Sequence, residues 1–544
     1  MTKRMLVTNA LPYANGEIHL GHLMEHIQTN IWVRFQRLIG KDCVYVCADD
    51  AHGTATTITA AKMGKDVLEW IDEMRESHIN DFAAFGIKYD NYYSTHSDEN
   101  RQLSEYVYKK IKDQGYLEER KLRQLYDEEK GMFLADRFIK GTCPTCNTAD
   151  QYGDNCEACG ATYDALELKE PRSLMSDAKP VVKESDHLFL NLDLFTTELK
   201  EWMAYSNIQP QVSNKLQEWF DKGLQQWNIS RDAPYFGWPI PGYTDKYFYV
   251  WLDAPIGYMA SLQQLCDQND WDFDKDFWRN PECEIYHFIG KDIIYFHALF
   301  WPALLIAADY NKPTGVFAHG FLTVNGAKMS KSRNTFILAK KYLQHLDPQY
   351  LRYYFAAKLS DGIDDMDFNT TEFGERINSD LVGKYINIAS RCSRFINRDF
   401  SNQLGSIGDD EQQELLDKLN GASEQIADLY QARKFSAAMR RIMELADLVN
   451  KYIGDAKPWE LSAANPTDIK VQQICTTGIN CFRILSIYLS PVVPDITDKV
   501  TQFLNLPSLS WKDLNQQLTD KEIREFSPLL QRVPPGALDA LLQD

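Results

Sequence analysis

No stretch of this 544-residue sequence stays apolar for the roughly 20 residues that a membrane-spanning helix requires. The nearest approach, residues 293–308, is shorter and carries His297 and Pro302, so a buried core helix is expected there. The N-terminal segment offers only residues 5–11 before Pro12, too short an apolar run for a signal peptide. An excess of positive charge is also missing. Against 58 Lys and Arg stand 77 Asp and Glu, a formal net charge of -19, which excludes a protein that coats nucleic acid non-specifically but leaves room for a local basic surface. The eleven cysteines fit no complete disulfide framework. Reduced thiols with one metal site, and hence a cytoplasmic setting, are expected instead. Repeats and low-complexity tails are absent. Apolar and charged fractions of 44% and 25% are those of a globular chain, long enough for three or four domains.

Residues 5–11 read as a buried strand, followed by a Pro-Tyr-Ala-Asn-Gly turn and a helix from near Ile18. A second strand, 43–48, closes on Asp49-Asp50-Ala51-His52-Gly53. From about Gly115 to Ser230 the pattern breaks into turns and a cysteine cluster, an inserted subdomain. Strands and helices then alternate again: 247–252, 285–289, a helix after Asp292, and 316–322. This predicts an α/β Rossmann-type parallel sheet split by an insertion. Beyond Ser379 the apolar residues recur at helical spacing, as in Leu415, Leu416, Leu419, Ile426 and Leu429, predicting an α-helical bundle.

Three short motifs carry chemistry. His19-Leu20-Gly21-His22 opens the first helix, where two imidazoles three residues apart share a face and the free N–H groups favour phosphate. Gly21 between them lets a nucleotide approach the backbone; alone, the motif is also compatible with two unrelated surface histidines. Lys328-Met329-Ser330-Lys331-Ser332 follows the last sheet strand. Its two ammonium groups suit the charge that grows on a departing pyrophosphate, although most Lys-Ser loops are merely solvated. Cys143, Cys146, Cys156 and Cys159 form two Cys-x-x-Cys hooks, the ligand set of one closed structural zinc site that gives a small segment its folding energy.

With these motifs the chain resembles the class I aminoacyl-tRNA synthetases over essentially its whole length, and within them the methionine-specific branch of the bacterial zinc-containing type. Residues 10–16, 47–53 and 250–258 are similar to segments of that branch. The resemblance implies ATP-dependent activation of methionine, with Mg²⁺, and its transfer to tRNA(Met), initiator included. It implies a division into a first catalytic half (1–114), a zinc-knuckle insertion (115–230), a second catalytic half (231–325), a signature-loop and stem-contact region (326–378), and a helical anticodon-binding domain (379–544). His19, His22, Lys328 and Lys331 are the expected catalytic groups. Gly290 and Asp292 end a strand where such sheets bind nucleotides; Asp292 suits ribose hydroxyls or a helix N-cap.

Aromatics around a small apolar space suit a thioether. The methionine pocket is expected from Ala10, Leu11, Tyr13, Trp251, Ala254, Pro255, Tyr258, Ile293, His297 and Trp301, with Asp50 holding the ammonium group. In the helical region Asn387, Arg391, Arg394 and Arg398 form a polar stripe, the bland alternative being a solvated helix face. Bases are read by hydrogen bonds and by stacking, and Asn387, Arg391 and Trp459 match positions that read the anticodon in the family. Asn334 stands where glycine is usual, and Gly383 where an asparagine is expected. Some relatives carry a further C-terminal dimerisation domain, so a monomer with no membrane partner is expected. The alternatives are another class I synthetase or a tRNA-independent nucleotidyltransferase.

Overall fold

The computed structural model describes residues 3–156, 158–329 and 336–543. Six parallel strands form the central sheet: β1 (Arg4–Asn9), β2 (Asp42–Asp49), β3 (Asn91–Ser94), β4 (Asn207–Ile208), β5 (Glu284–Gly290) and β6 (Gly315–His319). Their spatial order is β4-β6-β5-β1-β2-β3. Side chains alternate between the two faces with period two. Met5, Val7, Cys43, Tyr45, Tyr286, Phe288 and Phe317 enter one buried cluster, and Leu6, Val44, Val46, Ile285, Ile289, Val316 and Ala318 enter another. Burial on both faces explains why these strands read as unbroken apolar runs. The order reverses between β1 and β5, where open α/β sheets leave a crevice beyond the strand ends.

Two expectations change. Residues 247–252 do not form one strand: Lys246–Phe248 pairs with Ser230–Asp232 in a separate ribbon, and the chain then turns into the helix Val250–Asp253. A short apolar run does not by itself distinguish strand from helix. The segment 115–230, read as the insertion, also contains β4, which pairs with β6 as the sheet edge. The insertion proper is built on the antiparallel pair Leu117–Asp127 and Val181–Leu190, in register from Leu117↔Leu190 to Tyr126↔Val181. Beyond that pair, three short strands (Ile139–Thr142, Gln151–Tyr152 and Lys169–Ser173) carry the cysteine hooks.

Helix α1 (Leu20–Leu38) follows β1, and helix α2 (Val67–Ala84) follows β2. Residues 293–308 are mostly buried, in a tight turn, a wide turn at Phe296–Phe300 and the helix Trp301–Ala307, with Ile293, Tyr295, Phe296 and Ile306 half-buried. Pro302 is the second residue of that helix, directly after the wide turn. The helical region contains α3 (Asn387–Asp399) and the almost wholly buried α4 (Ile469–Leu489). Among the described residues no helix is long and apolar enough to cross a membrane.

The helical region and the sheet share one continuous core, joined through a buried cation. Arg352 is fully buried and donates to the carbonyls of Phe85, Pro491 and Val492 and to Asn30 Oδ1. Arg352→Met should leave these acceptors unsatisfied, at about 1–3 kcal/mol each, and markedly lower the melting temperature. Arg352→Lys should not restore it, because a point donor cannot span the fork. A Met variant that melts with the parent contradicts this reading.

Candidate active site

The N-terminus of α1 is capped by its own signature. His19 Nδ1 accepts from the Gly21 N–H at 3.0 Å, and His22 Nδ1 accepts from the His19 N–H at 3.4 Å, so two imidazoles perform the reciprocal capping usually done by a hydroxyl and a carboxylate. Both Nδ1 atoms act as acceptors, so each neutral ring carries its proton on Nε2. The rings stack with centroids 3.8 Å apart. Burial, and then the neighbouring His19, lower the basicity of His22, which keeps it a neutral donor. Gly21 also has a packing role. A Cβ there would lie 2.8 Å from His19 Cε1 and 2.9 Å from Met329 Cε, so the missing side chain makes room for the imidazole and the second signature.

That second signature is drawn to the first by the backbone. Leu20 N–H donates to the Ile337 carbonyl at 3.0 Å and Ala339 N–H to the Ile18 carbonyl at 2.9 Å. This clasp pairs His19 with Leu338. Phe336 meets the His19 ring edge-on at 4.9 Å. On the other side of the loop, Ala327–Lys328 pairs with Leu322–Val324, which pairs with Met366–Phe368. His19, His22 and Lys328 consequently line one cavity of about 1520 Å³. Lys331 and Asn334 lie outside the described residues.

Gly290 and Asp292 line the same cavity at the end of β5. A Cβ on Gly290 would lie 2.5 Å from Asp292 Oδ1, so that carboxylate leans over the glycine. Ala10, Leu11, Tyr13, Asp50, Trp251, Ala254, Pro255, Tyr258, Ile293 and His297 line the cavity too. Trp301 is not among the lining residues: it lies in the layer behind, donating from Nε1 to His287 Nε2 at 3.1 Å. Trp251 stacks on Phe296, a residue the motif reading missed, at 3.9 Å and 16°. His297 Nδ1 lies 3.2 Å from the Ile293 carbonyl, and Nε2 lies 2.8 Å from Tyr258 Oη. The carbonyl can only accept, so Nδ1 donates to it and Tyr258 donates to Nε2. Burial pushes the His297 pKa down to about 4, which fixes the ring as neutral.

Asp50 is buried with its Oδ1 lacking a protein partner. Burial, then Asp253 and Asp49, push its pKa up, as befits a carboxylate that a cation would complete. Sequence reasoning also missed Glu25, which accepts from the Ala10 N–H at 2.9 Å and faces His319 Nε2 at 3.0 Å on the cavity wall. A lone Glu inside an amphipathic helix and a His at a strand end gave no pattern to find.

Away from the cavity, the four cysteine sulfurs lie within 4.8 Å of one another, with Cys143–Cys159 at 3.9 Å and Cys146–Cys156 at 3.5 Å. Each hook folds back so that the N–H of Cys146 or Cys159 meets the sulfur of Cys143 or Cys156 at 3.4 Å. This cluster can hold a metal ion. In the helical region the Arg391 guanidinium lies 5.1 Å over the ring of Trp459, which is 42% exposed. Asn387 begins α3 one turn before Arg391. Arg398 belongs to this stripe but is paired with Asp399.

Residues 5–393 match the family described as tRNA synthetases class I (M), and residues 412–533 match the anticodon-binding domain of tRNA ligase. Among solved structures the chain is similar to Mycobacterium tuberculosis methionyl-tRNA synthetase bound by methionyl-adenylate. That match has a TM-score of 0.81 and 22% identity, covering 98% of this chain and 100% of that one. The apo form of the same protein gives 0.74 at 22% identity over 98% and 99% of the two chains. Such likeness establishes the fold.

Because the room over Gly21 is taken by His19 and Met329, Gly21→Ala should displace the first imidazole. A shift of about 1 Å at such a site costs on the order of a hundredfold in rate. ATP-dependent turnover should fall accordingly while the circular dichroism spectrum is retained; unchanged turnover would contradict the packing argument.

Proposed function

The chain belongs to the class I tRNA synthetases (M), and from that membership we propose that it activates methionine with ATP and transfers it to tRNA(Met), the initiator included. One observation carries the proposal: beside the backbone clasp between residues 18–20 and 337–339, His19, His22 and Lys328 line the cavity that Asp50 and the aromatics also line.

Asp50 receives the amino acid's ammonium group beside Tyr13, whose phenol is kept protonated by burial and by Asp50. Trp251, Tyr258 and His297 enclose the thioether, whose contacts with rings contribute roughly 0.3–1.5 kcal/mol. The Tyr258 proton is committed to His297, so the pocket wall presents a polarizable face. Asp292 accepts from the ribose hydroxyls next to Gly290. The methionine carboxylate then attacks the α-phosphate in line, and pyrophosphate leaves. His19 and His22 donate from Nε2 to phosphate oxygens, Lys328 and Lys331 balance the departing charge, and Mg²⁺ would supply further neutralisation there. Position and preset charge carry the step, with no covalent work by the protein. A terminal ribose hydroxyl of the tRNA finally takes the methionyl group.

The cysteine cluster suits zinc. Four thiolates about 2.3 Å from one ion form a tetrahedron with edges of about 3.8 Å, and the sulfur pairs at 3.5 and 3.9 Å approach this. With no ligand position open, the ion organises the insertion and stays outside the chemistry. Asn387, Arg391 and Trp459 would read the anticodon, Trp459 offering an exposed ring for stacking.

ATP–pyrophosphate exchange across all twenty amino acids should depend on methionine, and charging should require tRNA(Met). Exchange with another amino acid, or none with any, overturns the specificity. Homocysteine lacks one methyl, worth only about 1–3 kcal/mol in such a pocket. It should therefore be activated and rejected, consuming ATP without stable product; accumulation of homocysteinyl-tRNA contradicts this.

A further inference from the structure

Three carboxylates crowd the floor behind Tyr13: Asp49 and Asp50 at the end of β2, and Asp253 from the short helix Val250–Asp253. They are 1%, 3% and 1% exposed. Each keeps one oxygen without a hydrogen-bond partner in the protein. Three like charges in a site closed to water cannot all persist uncompensated, because one or more would take up a proton. After burial itself, Asp253 and then Asp49 act most strongly on Asp50.

Two of the three have a wholly buried imidazole of their own. His78, on α2, places Nδ1 2.7 Å from Asp49 Oδ1 and Nε2 2.8 Å from the Gly16 carbonyl. Both partners accept, so both nitrogens carry hydrogen and the ring is an imidazolium. His52 pairs its Nδ1 with Asp253 Oδ2, and its Nε2 lies 3.0 Å from His96 Nδ1. His96 is stacked on Trp238 at 4.7 Å and 7° and on Phe236 at 5.2 Å. Burial and then the neighbouring His52 push the His96 pKa down to about 4, so His96 is neutral and the two rings share one hydrogen between His52 Nε2 and His96 Nδ1. Asp50 has no imidazole partner. It is held by Tyr13 and by the backbone N–H of His52, and among the three it is the one that lines the cavity.

We propose that His52 and His78 are positioning residues that cancel Asp253 and Asp49, so that Asp50 alone carries an uncompensated charge into the cavity to hold the substrate's ammonium group. This rests on the assignment of Asp50 made above. The motif Asp49-Asp50-Ala51-His52 thus supplies in four residues the receptor, a shielded neighbour and the shield for a third carboxylate. Neither imidazole is among the residues that line the cavity. They act by deciding which carboxylate is left over.

The test uses the full chain, with Michaelis constants read from pyrophosphate exchange. His52→Gln should raise the KM for methionine by about tenfold or more, since it leaves a buried charge unpaired, and leave the KM for ATP unchanged. Adding Asp253→Asn removes the orphaned charge and should recover most of the loss, which a merely structural role for His52 would not allow. Inhibition by 4-(methylsulfanyl)butanoate, which has the carboxylate and thioether but no ammonium, should be equal in His52→Gln and the parent. An unchanged methionine KM in His52→Gln, a double variant no better than the single one, or equal loss of the amine-free inhibitor each overturns the proposal. If His52→Gln does not fold, His78→Gln with and without Asp49→Asn takes its place under the same criteria. Asp50→Asn separates the two levels: no effect on methionine KM removes the parent assignment, whereas a defect there without one in His52→Gln removes only the charge-cancelling role.

Discussion

Leu20 N–H to the Ile337 carbonyl and Ala339 N–H to the Ile18 carbonyl are the contacts on which the cavity depends. They connect segments more than 300 residues apart, and neither uses a side chain. Without them the imidazoles would crown a helix facing solvent, and Lys328 would sit on an ordinary hairpin. With them, the helix end that favours phosphate and Lys328 line one cavity, where charge interactions count for more than on an open surface. A backbone clasp suits this task because it fixes distance while leaving the side chains of both signatures available to the substrate.

The motif residues announced themselves because their chemistry is local. His19 and His22 sit three apart on one helix, and the four cysteines form two self-contained hooks, so spacing alone predicts which atoms converge. The sheet was legible for a similar reason: strands buried on both faces must be apolar throughout. What escaped notice depends on contacts between distant segments. Glu25 meets His319 across the cavity, β4 reaches the sheet edge from within an irregular stretch, and Trp301 turns away to His287. In each case the residue type is compatible with several environments, and the choice among them is made by packing. Gly21 is an instructive intermediate. Its position in the motif was visible, but part of the crowding that favours glycine there comes from a Met329 methyl more than 300 residues away, alongside the His19 ring.

Helix α1 shows how one element serves both ends of the molecule. Its first turn carries the imidazoles, and its nineteen residues extend about 28 Å at 1.5 Å per residue. Farther along, Asn30 accepts from Arg352, Trp32 donates to the Gln431 carbonyl at 3.3 Å, and Gln36 donates to Gln431 Oε1 at 2.8 Å. Phe35 stacks on Tyr430 at 5.0 Å. The helix is therefore anchored in the helical region as firmly as in the sheet.

Arg352 shows what kind of joint this is. Burial lowers its pKa to about 9, and its hydrogen bonds run to carbonyls and an amide rather than to a carboxylate. A salt bridge would fix one pair of side chains and tolerate rotation about them. Four oxygens from three separate segments, gripped by one planar fork, constrain orientation as well as distance. Because the acceptors are mostly backbone, the joint fixes how the main chains of the two regions lie against each other. The joint thereby ties α1, whose start carries His19 and His22, to the chain that leaves α4 at residues 491–492.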